Sequence, residues 1–575
     1  MNPAIPRKGC LVKHVRFSAW ISSVAVYFAL GVLFLYPMSR LVISAFTREG
    51  AFTFANFTAV FANPSNVRSL WNSLYTGVTV TVIATVIALV LSWIVVRTNV
   101  YGRKLFQFVL VIPFFIPPFI MAFAWTRLLG RAGFVNVFVQ QLFSLPQPPI
   151  RIFGFVGVVL VSVIYTYPYA FIVISRAMEN MGAHLEEAAQ ISGASRFQVV
   201  RDIVLPVLLP AVGSAAVIVF VTTVSMFGIP AIMGTPGQFI VVTTRIYGYV
   251  GGFRDPFGMN IATTLAMVLL GFALVGLLLQ NFFTRKENFA TITGKSGHLE
   301  LMNLRKWRIP ISVAVALFTG AVVVLPLFAI AATSLIRALG VPFTLENLTL
   351  DHFRRLANMS IVQRSFNNSF SLAVFVPTIT VIGAVILTFL KRQGRMPGRN
   401  GTDYIVSMPY AVPGIVIGVA MILAWIRPVF SIRVFNTIWI LYLAYIVRFM
   451  IFPMRTVGAS WKQLDSSLEE AGRISGASEL RTLRDVSIPL IRGGIGSGWL
   501  LVFMPALTEL TLSILLVSPR NETIGVTAFN MMQEGLITVA SAYAVMITIV
   551  VVSLNVVFRL LSVRRDRRPA NAPTI

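Results

Sequence analysis

Residues 185–206 read LEEAAQISGASRFQVVRDIVLP, and residues 468–489 read LEEAGRISGASELRTLRDVSIP. The two stretches are identical at 12 of their 22 positions. Both are polar and charged, in a chain that is otherwise mostly apolar. Alanine and glutamate across residues 185–192 favour helix. Gly193 interrupts, and a second helical piece runs from Ser195, its cap, to about Val204. Pro206 opens the next apolar segment, where a missing N–H costs least. The spacing predicts a short helix, a glycine turn and a second short helix, lying outside a membrane. Ala188, Ala189, Gly193 and Ala194 give this knob a small-residue face suited to insertion into a groove of another protein.

The rest of the chain explains why such a knob stands out. Of 575 residues, 57% are hydrophobic and only 12% charged. A soluble protein carries about 25% charged residues, so most of this surface faces lipid. The 45 Phe, 9 Trp and 14 Tyr suit interfacial aromatics. The formal charge of +27 lies in short runs between apolar segments, which argues for a bilayer and against nucleic acid. One cysteine, Cys10, excludes an internal disulfide. His14, His184, His298 and His352 are scattered, so no metal site is expected.

A spanning helix needs about 20 mostly apolar residues. Twelve segments qualify: 17–43, 70–96, 105–128, 153–175, 207–233, 260–283, 309–334, 367–390, 403–427, 434–453, 493–517 and 539–563. They are called spans 1 to 12 below. Span 10 is the weakest, because Arg448 lies inside it. The first segment exceeds a signal-peptide core of roughly 7–15 residues and reads as an uncleaved span. Lys and Arg concentrate near residues 7–16, 97–104, 285–308, 391–399 and 564–568. This bias puts both termini, the central linker and both LEEA loops in the cytoplasm.

Other pieces recur in the same order. Asn72-Ser73 and Asn368-Ser369 each open a span, and PFFIPPFIMAFAW (113–125) answers PYAVPGIVIGVAMILAW (409–425). The expectation is two parallel homologous halves of six spans in an all-α membrane protein. The first repeat is 1–284, with its polar loop at about 176–206. The linker is 285–308. The second repeat is 309–563, with its loop at about 456–489, and a basic tail follows at 564–575.

The pattern Glu-Ala-Ala, three residues, Gly, nine residues, Ile-x-Leu-Pro resembles the signature of the permease subunits of bacterial binding-protein-dependent ABC importers. Glu187, Ala188, Ala189, Gly193, Ile203, Leu205 and Pro206 match it fully. Glu470, Ala471, Gly472, Gly476, Val486, Ile488 and Pro489 match with conservative changes. Gly472, replacing the second alanine, is expected to loosen the second knob slightly. The resemblance implies a type I importer membrane-domain fold. It also implies that both loops, with Glu186 and Glu469 in them, dock in clefts of homodimeric or paired ATPase subunits. A periplasmic substrate-binding protein would serve the outer face, in a bacterial inner membrane. The stretches TYPYAFIVISRAMENMGAHLEEAAQISGAS, FGIPAIMGTPGQFIVVTTRIYGY and TELTLSILLVSPRNETIGVTAFN resemble the fused permeases of the ferric-ion importer group. The same broad group includes permeases for thiamine, 2-aminoethylphosphonate and sugar phosphates.

No P-loop is expected. Gly294-Lys295-Ser296 is the one GKS, but Phe289 stands where the first glycine belongs. No cofactor is expected in this chain; ATP and Mg2+ belong to the partner ATPase. A twelve-span secondary transporter would also explain parallel repeats. It would not explain twin coupling motifs, and the spans show few of the Asp, Glu or His relays that proton coupling needs.

Glu509, with Thr508 and Thr511, falls inside span 11, where an ionisable group is costly. Two readings stand: a cation-attracting carboxylate in the path, or a structural one bonded to Thr or Arg. Its counterpart in span 5 is Met226. Thr222, Ser225 and Tyr167 are further path candidates, with helix-to-helix bonding as the alternative. Arg254, Asp255 and Glu522 fall in outer loops. Pro113, Pro117 and Pro118, with Pro409 and Pro413, are expected to kink or unwind spans 3 and 9.

Overall fold

The computed structural model describes residues 24–181, 184–252, 257–284, 301–341, 344–393, 399–428, 431 and 433–566. Cys10, His14, Arg254, Asp255, His298, the GKS of the linker, and the cations of 7–16, 285–286, 395 and 567–568 lie outside them. So do residues 285–300 of the linker and 567–575 of the tail. Among the described residues the regular structure is helical apart from the short hairpin Thr47–Arg48 with Ala51–Phe52 and two isolated bridges, Thr98 with Met302 and Ile336 with Leu348.

Among the described residues, nine helices are long and apolar enough to cross a membrane. There are twelve if each sharply bent pair counts as one span. The bent pairs are spans 3, 9 and 10. Span 3 turns by 100° between Arg103–Phe115 and Pro118–Leu142, and span 9 by 103° between Gly401–Pro409 and Gly414–Trp425. Prolines cause both breaks. Pro117 and Pro118, like Pro413, lack the N–H that would continue the ladder, and they bar the preceding residue from helical geometry. Span 10 bends by 44° between Ile438–Phe449 and Ile451–Lys462, so it runs well beyond the expected end at 453.

Spans 5 and 11 depart from expectation in a matching way. The helices end at Ser225 and Leu507, not at 233 and 517. Backbone at Met226 turns extended, and Thr508 leaves helical geometry. Short helical turns resume at Pro230–Gly234 and Ser513–Leu516. Hydropathy could not reveal these breaks because the window average stays apolar across them, even with Glu509 in the second.

The chain packs as two compact units built from separate stretches. One unit comprises Asn63–Arg245, Gly271–Val362 and Thr527–Ile575. Its core is spans 2, 4 and 5. Gly77 lets span 5 approach span 2; a Cβ there would stand 2.6 Å from Val224 Cγ2. Small residues at such crossings bring backbones close, which is where dispersion accumulates in lipid. Span 7 packs on the outer part of span 3, where Arg127 Nε donates to Thr333 Oγ1 at 3.2 Å.

The other unit comprises Met1–Ala62, Ile246–Leu270 and Gln363–Val526. Span 11 packs on the second part of span 10 through Gly494 and Gly498, which face Ser460, Thr456 and Pro453. Span 1 packs on Gly414–Trp425, and Tyr36 Oη donates to the Ala424 carbonyl at 3.2 Å. Span 1 therefore joins the core of the second repeat, and span 7 that of the first. The compact units do not coincide with the sequence repeats.

The repeated Asn-Ser pairs acquire a reason. Asn72 Nδ2 donates to the Ile240 carbonyl, and Ser73 Oγ accepts from Val242 N at 2.8 Å. Asn368 Nδ2 donates to the Glu522 carbonyl, and Ser369 Oγ accepts from Ile524 N at 2.8 Å. In each repeat the start of the second span satisfies backbone at the end of the broken stretch, just where a helix begins and its N–H groups lack partners.

Candidate functional site

Both LEEA stretches form the same object. Helix His184–Ile191 ends at Gly193, and helix Ser466–Ile474 ends at Gly476. The two glycines have φ of +89° and +84°, the left-handed region that closes a helix without a Cβ penalty. Ala194 N donates to the Ala189 carbonyl at 2.9 Å, and Ala477 N to the Gly472 carbonyl at 3.1 Å. These are the six-to-one bonds of a Schellman closure. The next helix then starts on a cap. Ser195 Oγ accepts from Gln198 N while Gln198 Oε1 accepts from Ser195 N, a reciprocal capping box. Ser478 Oγ accepts from Arg481 N.

The second helix of each knob is not a separate piece, as its sequence suggested. It runs unbroken into the membrane, as Phe197–Ser225 and Glu479–Leu507. Pro206 and Pro489 are carried within it because the preceding turns, Val200–Val204 and Leu483–Ser487, are π-helical. The wider turn relieves the clash between the proline ring and the carbonyl four residues back. The knob is thus the rigid end of spans 5 and 11.

Gly472 does not loosen the second knob. A Cβ at this position would stand 3.3 Å from Thr482 Cγ2. Glycine lets the first helix sit close against buried Thr482.

A pair of arginines anchors the knobs. Arg97, at the end of span 2, is 5% exposed and donates to Glu186 Oε1 at 2.7 Å and to the Met178 carbonyl at 3.1 Å. Arg392, at the end of span 8, donates to Glu469 Oε2 at 2.7 Å and to the carbonyls of Trp461 and Leu464. Each arginine ties the first glutamate of its knob to the end of the span before it. Glu469 also accepts from Trp461 Nε1 at 3.0 Å and Ser487 Oγ at 2.9 Å. Burial alone would raise its pKa, but these donors together hold the carboxyl below its ordinary value. In sequence, Arg97 and Arg392 are indistinguishable from the other positive charges of the cytoplasmic loops. Their recurrence at the end of the second span of each repeat was the available signal.

Among the described residues, four apolar side chains of the knobs stand more than 70% exposed. Ile191 is 87% exposed and Phe197 71%, and their counterparts Ile474 and Leu480 are 87% and 73% exposed. No described neighbour covers them. Ala188 and Ala471 are on the same helices, and Glu470 is exposed. The structure does not describe the side chains of His184 and Glu187.

The path candidates separate. Glu509 lies in the break after span 11, not inside a helix. Its Oε1 accepts from Leu512 N at 2.7 Å, capping the short turn that follows. Thr511 packs on Gly414, where a Cβ would stand 3.3 Å from its Cγ2. Arg448 donates to the carbonyls of Pro409 and Val412 at the break in span 9 and also acts electrostatically on Glu509. Such carbonyls at a helix end need donors. Thr508 is half-buried in the same break, and Thr222 and Ser225 close span 5. Tyr167 is 1% exposed, with its hydroxyl donating to the Leu110 carbonyl at 2.8 Å. It locks span 4 to span 3. Among the described residues no group of three His, Cys, Asp or Glu side chains is placed to hold a metal.

The family model for the inner-membrane component of binding-protein-dependent transport systems matches residues 81–288 and 380–570. The chain belongs to this family. It carries the permease domain twice and is a membrane-spanning transport subunit of the ABC importer class. The chain is 26% identical over 532 residues to the ferric transport system permease protein FbpB of Actinobacillus pleuropneumoniae, covering 91% of this chain and 75% of that one. It is 22% identical over 519 residues to the Fe(3+)-transport system permease protein FbpB 2 of Haemophilus influenzae, covering 90% and 92%. It is also 26% identical over 196 residues to the molybdenum transport system permease protein ModB of Escherichia coli K12, covering 34% of this chain and 82% of that one.

Proposed function

We propose that this chain moves ferric iron from the periplasm to the cytoplasm, driven by a pair of ATPase subunits seated on the two knobs. The observation that carries this reading is the twin construction of those knobs. Ile191 with Phe197 and Ile474 with Leu480 form equivalent exposed apolar pairs, each held by the same glycine turn and arginine clamp. Exposed apolar side chains on a capped, rigid helical element suit a groove in a partner. Their duplication suits a partner that is itself paired.

The mechanical consequence follows from the anchoring. A knob drawn sideways carries span 5 or 11 directly, because its second helix is that span. Through Arg97 or Arg392 it also carries the end of span 2 or 8. ATP and Mg2+ act on the partner, and the chain's own residues convert the partner's closure into movement of spans. Both termini and the linker lie on the ATPase side, and a periplasmic binding protein delivers cargo opposite, in a bacterial inner membrane. Iron is supported by the names of relatives that span both repeats; the molybdenum relative matches a single repeat's length.

Uptake of radiolabelled ferric iron tests this in cells expressing the chain with its ATPase and binding protein. Glu187→Arg with Glu470→Arg is expected to abolish uptake and ATPase co-purification. Uptake that persists in the double variant overturns the coupling role. An ATPase that co-purifies without any iron uptake keeps the importer and overturns iron. Sugar phosphates, 2-aminoethylphosphonate and thiamine then become the cargoes to test.

A further inference from the structure

The end of span 2 and the described end of the linker are knitted together. Met302 N donates to the Arg97 carbonyl at 2.8 Å, and Asn99 N to the Met302 carbonyl at 3.2 Å. Asn99 also donates to Asn303 Oδ1 and accepts from Leu304 N, both at 3.0 Å. Tyr101 N donates to Ser312 Oγ at 3.0 Å, and the Arg308 guanidinium lies 3.7 Å from the Tyr101 ring centroid. Helix Arg103–Val109 packs on helix Arg308–Thr319.

This register brings two runs of positive charge to one place. Arg103 and Lys104 come from the loop after span 2, and Arg305, Lys306 and Arg308 from the linker. None of the five is ion-paired with a carboxylate among the described residues. Two of their donors, Arg103 Nη1 and Arg308 Nε, are buried and unpartnered. A buried guanidinium donor without an acceptor is costly, and a phosphate oxygen is the acceptor it fits best. Apolar groups surround the charges. Tyr101 is 51% exposed, Leu105 62%, Trp307 59% and Ile309 64%. Aromatic and aliphatic side chains beside unpaired cations, where two spans enter the bilayer, match the headgroup level of a membrane.

We infer that this patch is a binding site for the phosphate headgroup of an anionic phospholipid, with Arg103 and Arg308 as its principal donors. The acyl chains would lie along Leu105 and Ile309. The inference takes from the proposed function only the side of the membrane, the leaflet facing the ATPase. A lipid held here would brace the Arg97 end of span 2, and with it the first knob.

The test is lipid retention, measured by native mass spectrometry on the full chain. The chain is extracted from vesicles of phosphatidylcholine with about a quarter phosphatidylglycerol, a composition whose charged lipid draws about 1 kcal/mol per surface Lys or Arg. The wild-type chain is expected to retain phosphatidylglycerol in preference to phosphatidylcholine. Arg103→Gln with Arg308→Gln is expected to weaken that retention about 25-fold, roughly fivefold per cation. Arg103→Lys with Arg308→Lys should keep most of it, which separates loss of charge from loss of fold. Arg354→Gln with Arg355→Gln, in the exposed helix Asp351–Asn358, should change nothing. Equal retention in the wild-type and glutamine chains overturns the site, as does equal retention of both lipids. Full displacement by glycerol phosphate alone overturns the lipid in favour of a small-anion site. No ATPase, binding protein or cargo enters the measurement, so its failure leaves the importer reading standing.

Discussion

Arg97 Nη1 stands 2.7 Å from Glu186 Oε1, joining the end of span 2 to a knob 89 residues further along the chain. The same link recurs between Arg392 and Glu469, also at 2.7 Å. Arg97 is almost wholly buried, so its removal leaves Glu186 without its cation and the Met178 carbonyl without its donor. Breaking a buried pair by removing one partner costs roughly 3 kcal/mol. Arg97→Ala is therefore expected to free the first knob, raising the protease sensitivity of residues 184–195 while the spans stay folded. Glu186→Arg with Arg97→Glu should restore part of the protection. Unchanged cleavage in Arg97→Ala would show that the clamp holds nothing.

Glu469 makes the second clamp pH-dependent in a predictable sense. Its folded-state pKa lies below the ordinary 4.5. A depressed carboxyl contributes stability that is fully present above the unfolded value and lost as pH falls through the folded one. Amide exchange at residues 475–477 should thus stay slow from neutral pH down to the ordinary carboxyl value of 4.5 and quicken only below it. Glu469→Gln should shrink that acid limb without abolishing it. Asp465, held low chiefly by its bond from Ser467 N, adds to the same limb. A transition near neutral pH would contradict the assignment.

Gly193 and Gly476 allow a cleaner test of the knob's shape. A Cβ at either position meets nothing within 4 Å, so any effect of alanine comes from the positive φ alone. Alanine there costs about 1–2 kcal/mol, and asparagine, which tolerates this region, costs less. Gly193→Ala is expected to reduce ATPase co-purification severalfold, and Gly193→Asn to keep most of it. The reverse order would mean that space, not backbone geometry, selects glycine.

Glu509 caps the turn that follows it, and Gln retains an acceptor for Leu512 N. Glu509→Gln is therefore expected to preserve thermal stability and ATPase docking while slowing uptake, because only the charge is lost. Glu509→Leu should lower stability as well, by about 1 kcal/mol for the lost cap. Normal uptake in Glu509→Gln would reduce the residue to its structural role.

Part of this architecture was legible because it is local or repeated. The spans follow from apolar run length, the glycine turns from residues 185–206 and 468–489, and the proline breaks of spans 3 and 9 from Pro117, Pro118 and Pro413. The arginine clamps were not legible, since each joins residues 77 or 89 positions apart through a charge that also fits the cytoplasmic bias. The early end of span 5 was hidden because extended backbone at Met226 carries the same apolar residues as helix. Nor does hydropathy show that the Trp461 indole N–H bonds Glu469, eight residues on. Exchange of spans 1 and 7 between the two cores leaves no trace in hydropathy at all.

The linker yields the prediction that separates the two knobs. Glu469 has Arg392, Trp461 and Ser487 as donors, all from its own repeat. Glu186 has Arg97, whose backbone carbonyl is in turn held by Met302 N at 2.8 Å. Proline at 302 removes that N–H and restricts Leu301 as well. Met302→Pro is expected to loosen the first knob and leave the second unchanged. Paired cysteines introduced at Ile191 or at Ile474 and in the ATPase would report this by cross-linking. Yield should fall severalfold at Ile191 and stay constant at Ile474. A chain cut by a protease site placed within residues 286–299 should behave as wild type in the same assay, because what matters is the docking of residues 301–304 and not covalent continuity. Loss of cross-linking at both knobs in Met302→Pro would instead make the linker a general fold element.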